Sequence, residues 1–375
     1  MTVIDCRGSG RERGLAHGEA VRPLIAESIA NWEQATLCSD SSPTSIREYA
    51  TDFLARTSIL TTAHRRFPDL VDELQGIADG AGVPFEVIVA YNLMDEQWWY
   101  DLEGEARPEP GCTVLARTGA AGTMLAQNMD LPAFMNGSQV VLRVRAPGHP
   151  ESLILSSAGM IGLTGVNRAG VAVCVNALLM LRPNPAGVPV AVLVRAALGE
   201  PTAADAAALL RSVSHASGQH YAVADRHGVM GLECSASGCA LSHSPDDPVL
   251  VHTNHPLASD DIDDAVSAML HHNGGVADSE LRLAFGEKRV EDLSRMDSAI
   301  ALLSDPSTPI CMRNSLQRPS ETFGSVLYSL SDDPTAAFCL GGPGQAAWQT
   351  VRFADEVEPP DTANSTVHGV QPVSK

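Results

Sequence analysis

Residue 112 is a cysteine. It follows Arg107-Pro108-Glu109-Pro110-Gly111 and opens the run Thr113-Val114-Leu115-Ala116-Arg117-Thr118. If the Gly111–Cys112 bond is cut, Cys112 carries a thiol and a free α-amine on one residue. An α-amine titrates near about 7.7–8.0, so a large share is neutral close to neutral pH. It can take the thiol's proton directly or through a water. Nucleophile and base are then joined covalently, as in catalytic pairs built on an N-terminal amine. The cut itself can use the same thiol. Sγ attacks the Gly111 carbonyl, a thioester forms by N-to-S acyl shift, and water hydrolyses it. Glycine before the cysteine tolerates strained backbone and leaves room for attack. Taken locally the signal is ambiguous. Pro-Gly is an ordinary turn, and a buried thiol is an ordinary small apolar side chain.

Other constellations are weaker. Cys234 and Cys239, then twelve residues, then His252 and His255 do not match a zinc spacing, and His255 precedes a proline. The Gly341–Gln345 stretch lacks the lysine and following helix of a phosphate loop and reads as a turn. Trp98, Trp99 and Tyr100 lie just before the cut and fit an acyl or amine pocket or an aromatic core equally well. His17 opens an amphipathic helix, where a structural role is the default. Glu233 ends a strand, as pocket polarity or as a solvated edge.

The elements that must position Cys112 come in blocks. Residues 1 to about 105 read as mostly helical, with apolar spacing at Val21, Leu24, Ile25 and Ile29 and again at Val71, Leu74 and Ile77. From residue 112 the period shortens. Short β-rich runs follow, several separated by Gly-containing turns such as 119–122 and 167–170. Helices return near 189–199, 203–213 and 278–304, the second opened by Thr202 and Asp205 at capping-box spacing. Strands return near 219–225, 229–235, 248–254 and in three runs after residue 322. Hairpins rather than strand–helix–strand alternation predict an α+β chain with antiparallel sheets and helical layers. The simplest division is a helical segment 1–111, a catalytic core 112–355 and a polar tail 356–375 that reads as disordered.

Composition narrows the function. Of 375 residues, 45 are acidic and 25 basic, giving a formal charge of −20. That balance argues against nucleic acid as the main partner. No apolar run approaches a membrane span, and the first residues lack the apolar core of a signal peptide, so a cytoplasmic location is expected. In that reducing setting most of the eight cysteines are expected to be free thiols.

Further along, Gln127-Asn128-Met129-Asp130 sits eighteen positions after Cys112 at its aspartate. With Gly111-Cys112-Thr113, this segment resembles the isopenicillin N acyltransferase family of self-cleaving cysteine N-terminal-nucleophile hydrolases. Residues 13–25, 156–173, 252–256 and 309–313 resemble further family segments, so the resemblance spans roughly 8–354. It implies a four-layer αββα sandwich and scission between Gly111 and Cys112, giving two associated pieces. Cys112 would be nucleophile and base, Asn254 an oxyanion donor, and Asp130 an orienting or charge-balancing group. A late arginine would pair with Asp130 or with the scissile region. The family reads Ile-Cys-Arg there, whereas this chain reads Ile310-Cys311-Met312-Arg313, which leaves Arg313 one position displaced. Trp98, Trp99, Thr113 and Asn128 are candidate pocket residues, although backbone hydrogen bonding competes for the last two. The implied substrate is a small peptide-like or secondary-metabolite amide or thioester, with no metal or bound cofactor. A coenzyme A thioester is an open choice of acyl donor. Two other readings stand beside this one. One is an uncleaved thiol enzyme pairing Cys112 with His252 or His255, and the other is a binding protein of the same fold.

Overall fold

The computed structural model describes residues 1–37, 43–100, 111–315, 319–342, 344 and 346–354. Pro108–Pro110, Pro343 and Gln345 of the expected turn, and the 356–375 tail lie outside these.

In chain order the strands are β1 (Val3–Arg7), β2 (Thr113–Gly119), β3 (Gly122–Pro132), β4 (Gln139–Arg145), β5 (Ser152–Ser157), β6 (Thr164–Asn167), β7 (Ala172–Ala177), β8 (Gln219–Asp225), β9 (Gly228–Cys234), β10 (Cys239–His243), β11 (Val249–His252), β12 (Ser320–Leu330), β13 (Thr335–Leu340) and β14 (Gln349–Val351). The helices are α1 (Gly10–Ala20), α2 (Arg22–Thr36), α3 (Ile46–Arg56), α4 (Ile59–Arg66), α5 (Pro68–Ala81), α6 (Phe85–Tyr91), α7 (Met94–Tyr100), α8 (Val190–Ala197), α9 (Ala203–Arg211), α10 (Asp264–His272), α11 (Gly275–Arg289) and α12 (Met296–Ser304).

Two sheets stack. The first runs β1-β4-β5-β6-β7-β8-β9-β10 and the second β11-β2-β3-β12-β13-β14. Every pair is antiparallel except β1 with β4. Strand alternation builds the layers. Leu115 and Ala126 face outward to Leu302 and Leu303 of α12. Val114, Ala116 and Leu125 face inward to the main core. Gln127 Nε2 crosses between the sheets to the Val175 carbonyl at 2.5 Å. On the far side, Tyr91 of α6 bonds Ser157 of β5 at 2.9 Å. The result is helix, sheet, sheet, helix, the α+β sandwich expected from the sequence.

The N-terminal segment differs from expectation in one respect. Its first residues form β1, which pairs in parallel with β4 through Val3 opposite Val141 and Arg7 opposite Arg145. Five residues with no turn to a neighbour carry no local strand signal. Only the distant partner makes them a strand. Likewise the helix expected to open at His17 and run through Val21, Leu24, Ile25 and Ile29 is two helices that break at Val21, before Pro23, and β6, β10 and α10 were too short or too polar to stand out. Among the described residues no helix is long and apolar enough to cross a membrane.

Helices α1 and α5 touch backbone to backbone. A Cβ at Gly14 would overlap the Glu73 carbonyl, so only glycine fits there. This approach buries an ion network. Glu73 accepts from Arg13 Nε at 2.8 Å and from Arg195 Nη1 at 2.6 Å. Arg195 also donates to the Ile161 carbonyl at 2.7 Å, which ties α8 to the loop before β6. Nearby, buried His17 accepts the Gly159 amide at 3.1 Å through Nε2. Burial depresses its basicity to a pKa of about 4, so the imidazole is neutral, as an acceptor must be.

Burial pushes the Glu73 carboxyl up, but Arg195 and Arg13 more than offset it and hold it below the usual glutamate range. Its stabilisation is therefore present above the unfolded value, about 4.3, and is lost as pH falls through the lower folded value. Glu73→Gln is expected to cost about 3–5 kcal/mol in urea unfolding at pH 7, because two buried guanidinium groups lose their counter-charge. The acid limb of the stability curve, measured below pH 4.5, should be shallower in the variant than in the parent protein.

Candidate active site

Strand register assembles the site. β11 pairs with β2 so that His252 faces Val114. Continued two residues outward, the same line brings Asn254 opposite Cys112. β2 pairs with β3 so that Thr113 faces Asn128. That line continues to Gly111 opposite Asp130. β3 pairs with β12 so that Asp130 faces Thr322. Four neighbouring strands thus deliver Asn254, Cys112, Asp130 and Thr322 to one end of the second sheet.

Cys112 is buried, and its thiol donates to the Asp130 carbonyl at 3.7 Å. Burial, with Asp130 adding to it, pushes the thiol up to about 12. Its carbonyl accepts from Arg282 Nη1 at 2.8 Å and Asn176 Nδ2 at 3.0 Å. Arg282, on α11, is itself buried. Its Nη1 also reaches Thr113 Oγ1 at 3.3 Å, its Nη2 reaches Asn254 Oδ1 at 3.0 Å, and its Nε bonds Asp278 at 2.9 Å. One guanidinium therefore ties the cysteine backbone to the asparagine amide. Asn254 Nδ2 then donates to the Ala177 carbonyl at 3.1 Å.

The loop after Asn254 is held by a buried carboxylate. Glu233 accepts the amides of Leu257, Ala258 and Ser259 at 2.6, 3.0 and 2.7 Å, and His252 Nε2 at 2.9 Å. His252 stacks flat on His220 at 3.6 Å, and His220 Nδ1 meets Asn176 Oδ1 at 3.0 Å. A continuous path thus runs from Glu233 through two stacked imidazoles to the amide that holds the Cys112 carbonyl. Neither His252 nor His255 is bonded to Cys112. His252 is committed to Glu233 and the Thr253 carbonyl, and His255 Nδ1 to Ser279 Oγ at 2.7 Å.

Asp130 Oδ1 accepts from Thr322 Oγ1 at 2.6 Å, and Thr322 Oγ1 accepts the Met312 amide at 2.9 Å. The Met312 side chain then packs against Gly111. A Cβ there would overlap Met312 Cε and come within 2.9 Å of Asp130 Oδ2. Arg313 is exposed. At the late element Met312 contacts the residue before the cysteine.

A cleft opens between the sheets at Cys112. Met129 and Leu131 of β3, Val175 and Ala177 of β7, and Asp95 and Trp98 of α7 line it. Trp99 does not. Its indole donates to the Leu181 carbonyl at 3.0 Å in a separate apolar cluster with Met180 and Leu270. Asn128 does not either, because alternation along β3 turns even positions outward. Its amide bonds the Leu303 and Ile310 carbonyls and Ser325. Thr113 is buried against Arg282 rather than in the cleft. Most cysteines were expected as free thiols, but Cys234 and Cys239 face each other across β9 and β10 and form a disulfide. Direct opposition of two cysteines on paired strands is what the spacing could not reveal.

Arg282, Asn176, Thr322 and Asp95 were not singled out from the sequence. Arg282 had a signal available: it shares a buried stripe with Val276, Ser279 and Gly286, where an arginine demands partners. Glu233→Ala should free the 257–259 amides, seen as faster hydrogen exchange at those three residues. It should also cost about 3 kcal/mol or more, since three donors and His252 lose one acceptor.

Comparisons with known proteins extend these observations. The family model for acyl-coenzyme A:6-aminopenicillanic acid acyl-transferase matches residues 117–345. The "acyl-coenzyme A:6-aminopenicillanic-acid-acyltransferase 40 kDa form" of Emericella nidulans is 30% identical over 258 residues, covering 68% of this chain and 70% of that protein. Solved structures are looser matches. Penicillin V acylase from Agrobacterium tumefaciens is 15% identical, with a TM-score of 0.42 over 64% of this chain and 86% of that one. The N-acylethanolamine-hydrolyzing acid amidase orthologue of Caenorhabditis elegans is 16% identical, with a TM-score of 0.41 over 58% and 92%.

Proposed function

Because the chain belongs to the acyl-coenzyme A:6-aminopenicillanic acid acyl-transferase family, we propose that it matures by cutting itself between Gly111 and Cys112 and then works through an acyl-Cys112 thioester. The family supports an enzyme of the acyl-transfer or amide-hydrolysis class. The finer reading rests on one observation. Cys112 opens a core strand at an apolar cleft, with Arg282 joining its carbonyl to Asn254.

In the intact chain the thiol is a poor nucleophile, because burial and Asp130 favour its protonated form. Gly111 lies against Met312 and Asp130 and has no side chain of its own to obstruct attack on its carbonyl. Attack by Sγ moves the Gly111 acyl group from nitrogen to sulfur and frees the Cys112 amine, which takes up the thiol's proton; hydrolysis of that thioester then releases the Gly111 carboxylate and restores the thiol. The amine then takes the thiol's proton for each later attack and returns it to the leaving group. Asn254 Nδ2 is the donor proposed for the tetrahedral oxyanion. Arg282 and Asn176 act as positioning residues on the Cys112 carbonyl. The substrate is a small amide or thioester, and a coenzyme A thioester stays open as donor. Water or an amine accepts the acyl group. The two pieces would remain a heterodimer, since β1 is paired into the first sheet and α7 walls the cleft.

Intact-mass analysis is expected to find fragments 1–111 and 112–375, with Cys112 as the new N-terminus. A single chain after long incubation at neutral pH, or scission at this bond in a Cys112→Ala protein, would overturn the proposal. In the cleaved protein Asn254→Ala should lower kcat by about 10²–10³-fold with a smaller change in KM, as expected for a donor engaged mainly in the transition state.

A further inference from the structure

Among the described residues the cleft beside Cys112 contains one carboxylate, Asp95, in a wall that is otherwise largely apolar. The amide of Asn92, also in the wall, is fully used. Its Nδ2 donates to the Ile88 and Gly159 carbonyls and its Oδ1 accepts the Ile161 amide. Asp95 receives a single hydrogen bond, from Gln219 Nε2 at 3.2 Å, and has no cationic partner among the described residues. Gln219 is fully buried. Its Nε2 is shared between Asp95 and Ser217, while its Oε1 meets no donor. Next along the chain, buried Glu96 uses Oε1 on the Val190 amide and Ser217, and its Oε2 meets no donor. Asp95, Gln219 and Glu96 thus form a group of acceptors with too few donors. Buried acceptors are ordinarily matched, so such a group is suited to a ligand that brings N–H groups and positive charge.

We propose that the substrate carries a protonated amine, and that its ammonium docks on the Asp95 carboxylate while its reacting carbonyl lies at Cys112. The orientation rests on the reading of Cys112 as nucleophile, whereas the ammonium site rests on the cleft alone. The Cys112 α-amine itself is the competing occupant. Asp130 is the better partner for that amine, since its carboxylate adjoins Gly111 and acts on Cys112 more strongly than Asp95 does. Asp95 is thereby left for a group that comes from outside.

The test uses full-length Cys112→Ala protein, in which the cleft stands whether or not the thiol reacts. Ligand-observed NMR titrations would compare n-pentylammonium with 1-pentanol, which share shape and differ in charge. The ammonium is expected to bind about tenfold or more tightly, as for a charge-assisted hydrogen bond in a largely apolar site. Asp95→Asn is expected to bring the ratio close to one. Equal binding of the two ligands, or a preference that survives Asp95→Asn, would overturn the ammonium site. If Asp95→Asn does not fold, the two-ligand comparison on the parent cleft still decides. A second arm incubates the cleaved Cys112 protein with ω-aminoacyl anilides and their uncharged alkanoyl counterparts and follows the Cys112 adduct by mass. Turnover of the uncharged series with no preference for the amino series would count against the inference alone. Ammonium binding with no adduct from either series would support the site and count against the nucleophile.

Discussion

The Arg282 fork is the interaction on which the site depends. A guanidinium at 1% exposure is costly unless its donors are met. Here they are met by groups from three places in the chain: the Cys112 carbonyl and Thr113 hydroxyl at the start of β2, the Asn254 amide after β11, and Asp278 one turn earlier on α11. Satisfying this cation sets α11 against the edge of the second sheet. Lysine could not do the same work. A single ammonium lacks the planar geometry that reaches the Cys112 carbonyl and Asn254 through two separate nitrogens.

Register is the second constraint, and it precedes the fork. The pairings of β11 with β2, β2 with β3 and β3 with β12 set which residues are neighbours before any side chain contributes. A slip of one residue in β2 would reverse its faces. Val114 and Leu115 would exchange the core between the sheets for the helical layer, and Cys112 would leave its line with Asn254. The apolar alternation that holds the two sheets together therefore also holds the chemistry in place.

This explains what was legible in the sequence. Strands with strong alternation, such as β2, β3, β4 and β12, stand out from their own residues. The cysteine at the mouth of β2 stands out with them. The α+β class follows from the blocks of hairpins. β1 was not legible because its partner, β4, lies more than a hundred residues away. The disulfide was not legible because opposition across β9 and β10 is a matter of register. The same parity that makes β3 recognisable could have separated Asn128 from the pocket, since Met129 and Leu131 carry the apolar face. Met312 beside Gly111 lay beyond any local reading, because the contact depends on how a loop returns past β12.

Charge balance at the site connects the intact and cleaved forms. Among the described residues the buried cation acting on Cys112 is Arg282, while Asp130 and Asp95 both disfavour a thiolate. Burial acts in the same direction, so a thiol left to itself stays protonated near neutral pH. On the proposed reading, scission changes this balance by adding a cationic group at the residue that needs it. The new α-ammonium meets opposing influences. Asp130 stabilises its charge, whereas Arg282 and the apolar cleft destabilise it. Near-cancellation would leave the amine close to its ordinary range, where it can accept a proton and give it back. A histidine brought from elsewhere would need its own buried partners, and His252 and His255 already have theirs in Glu233 and Ser279. The amine needs no such scaffold, because it is bonded to the same α-carbon as the side chain it serves.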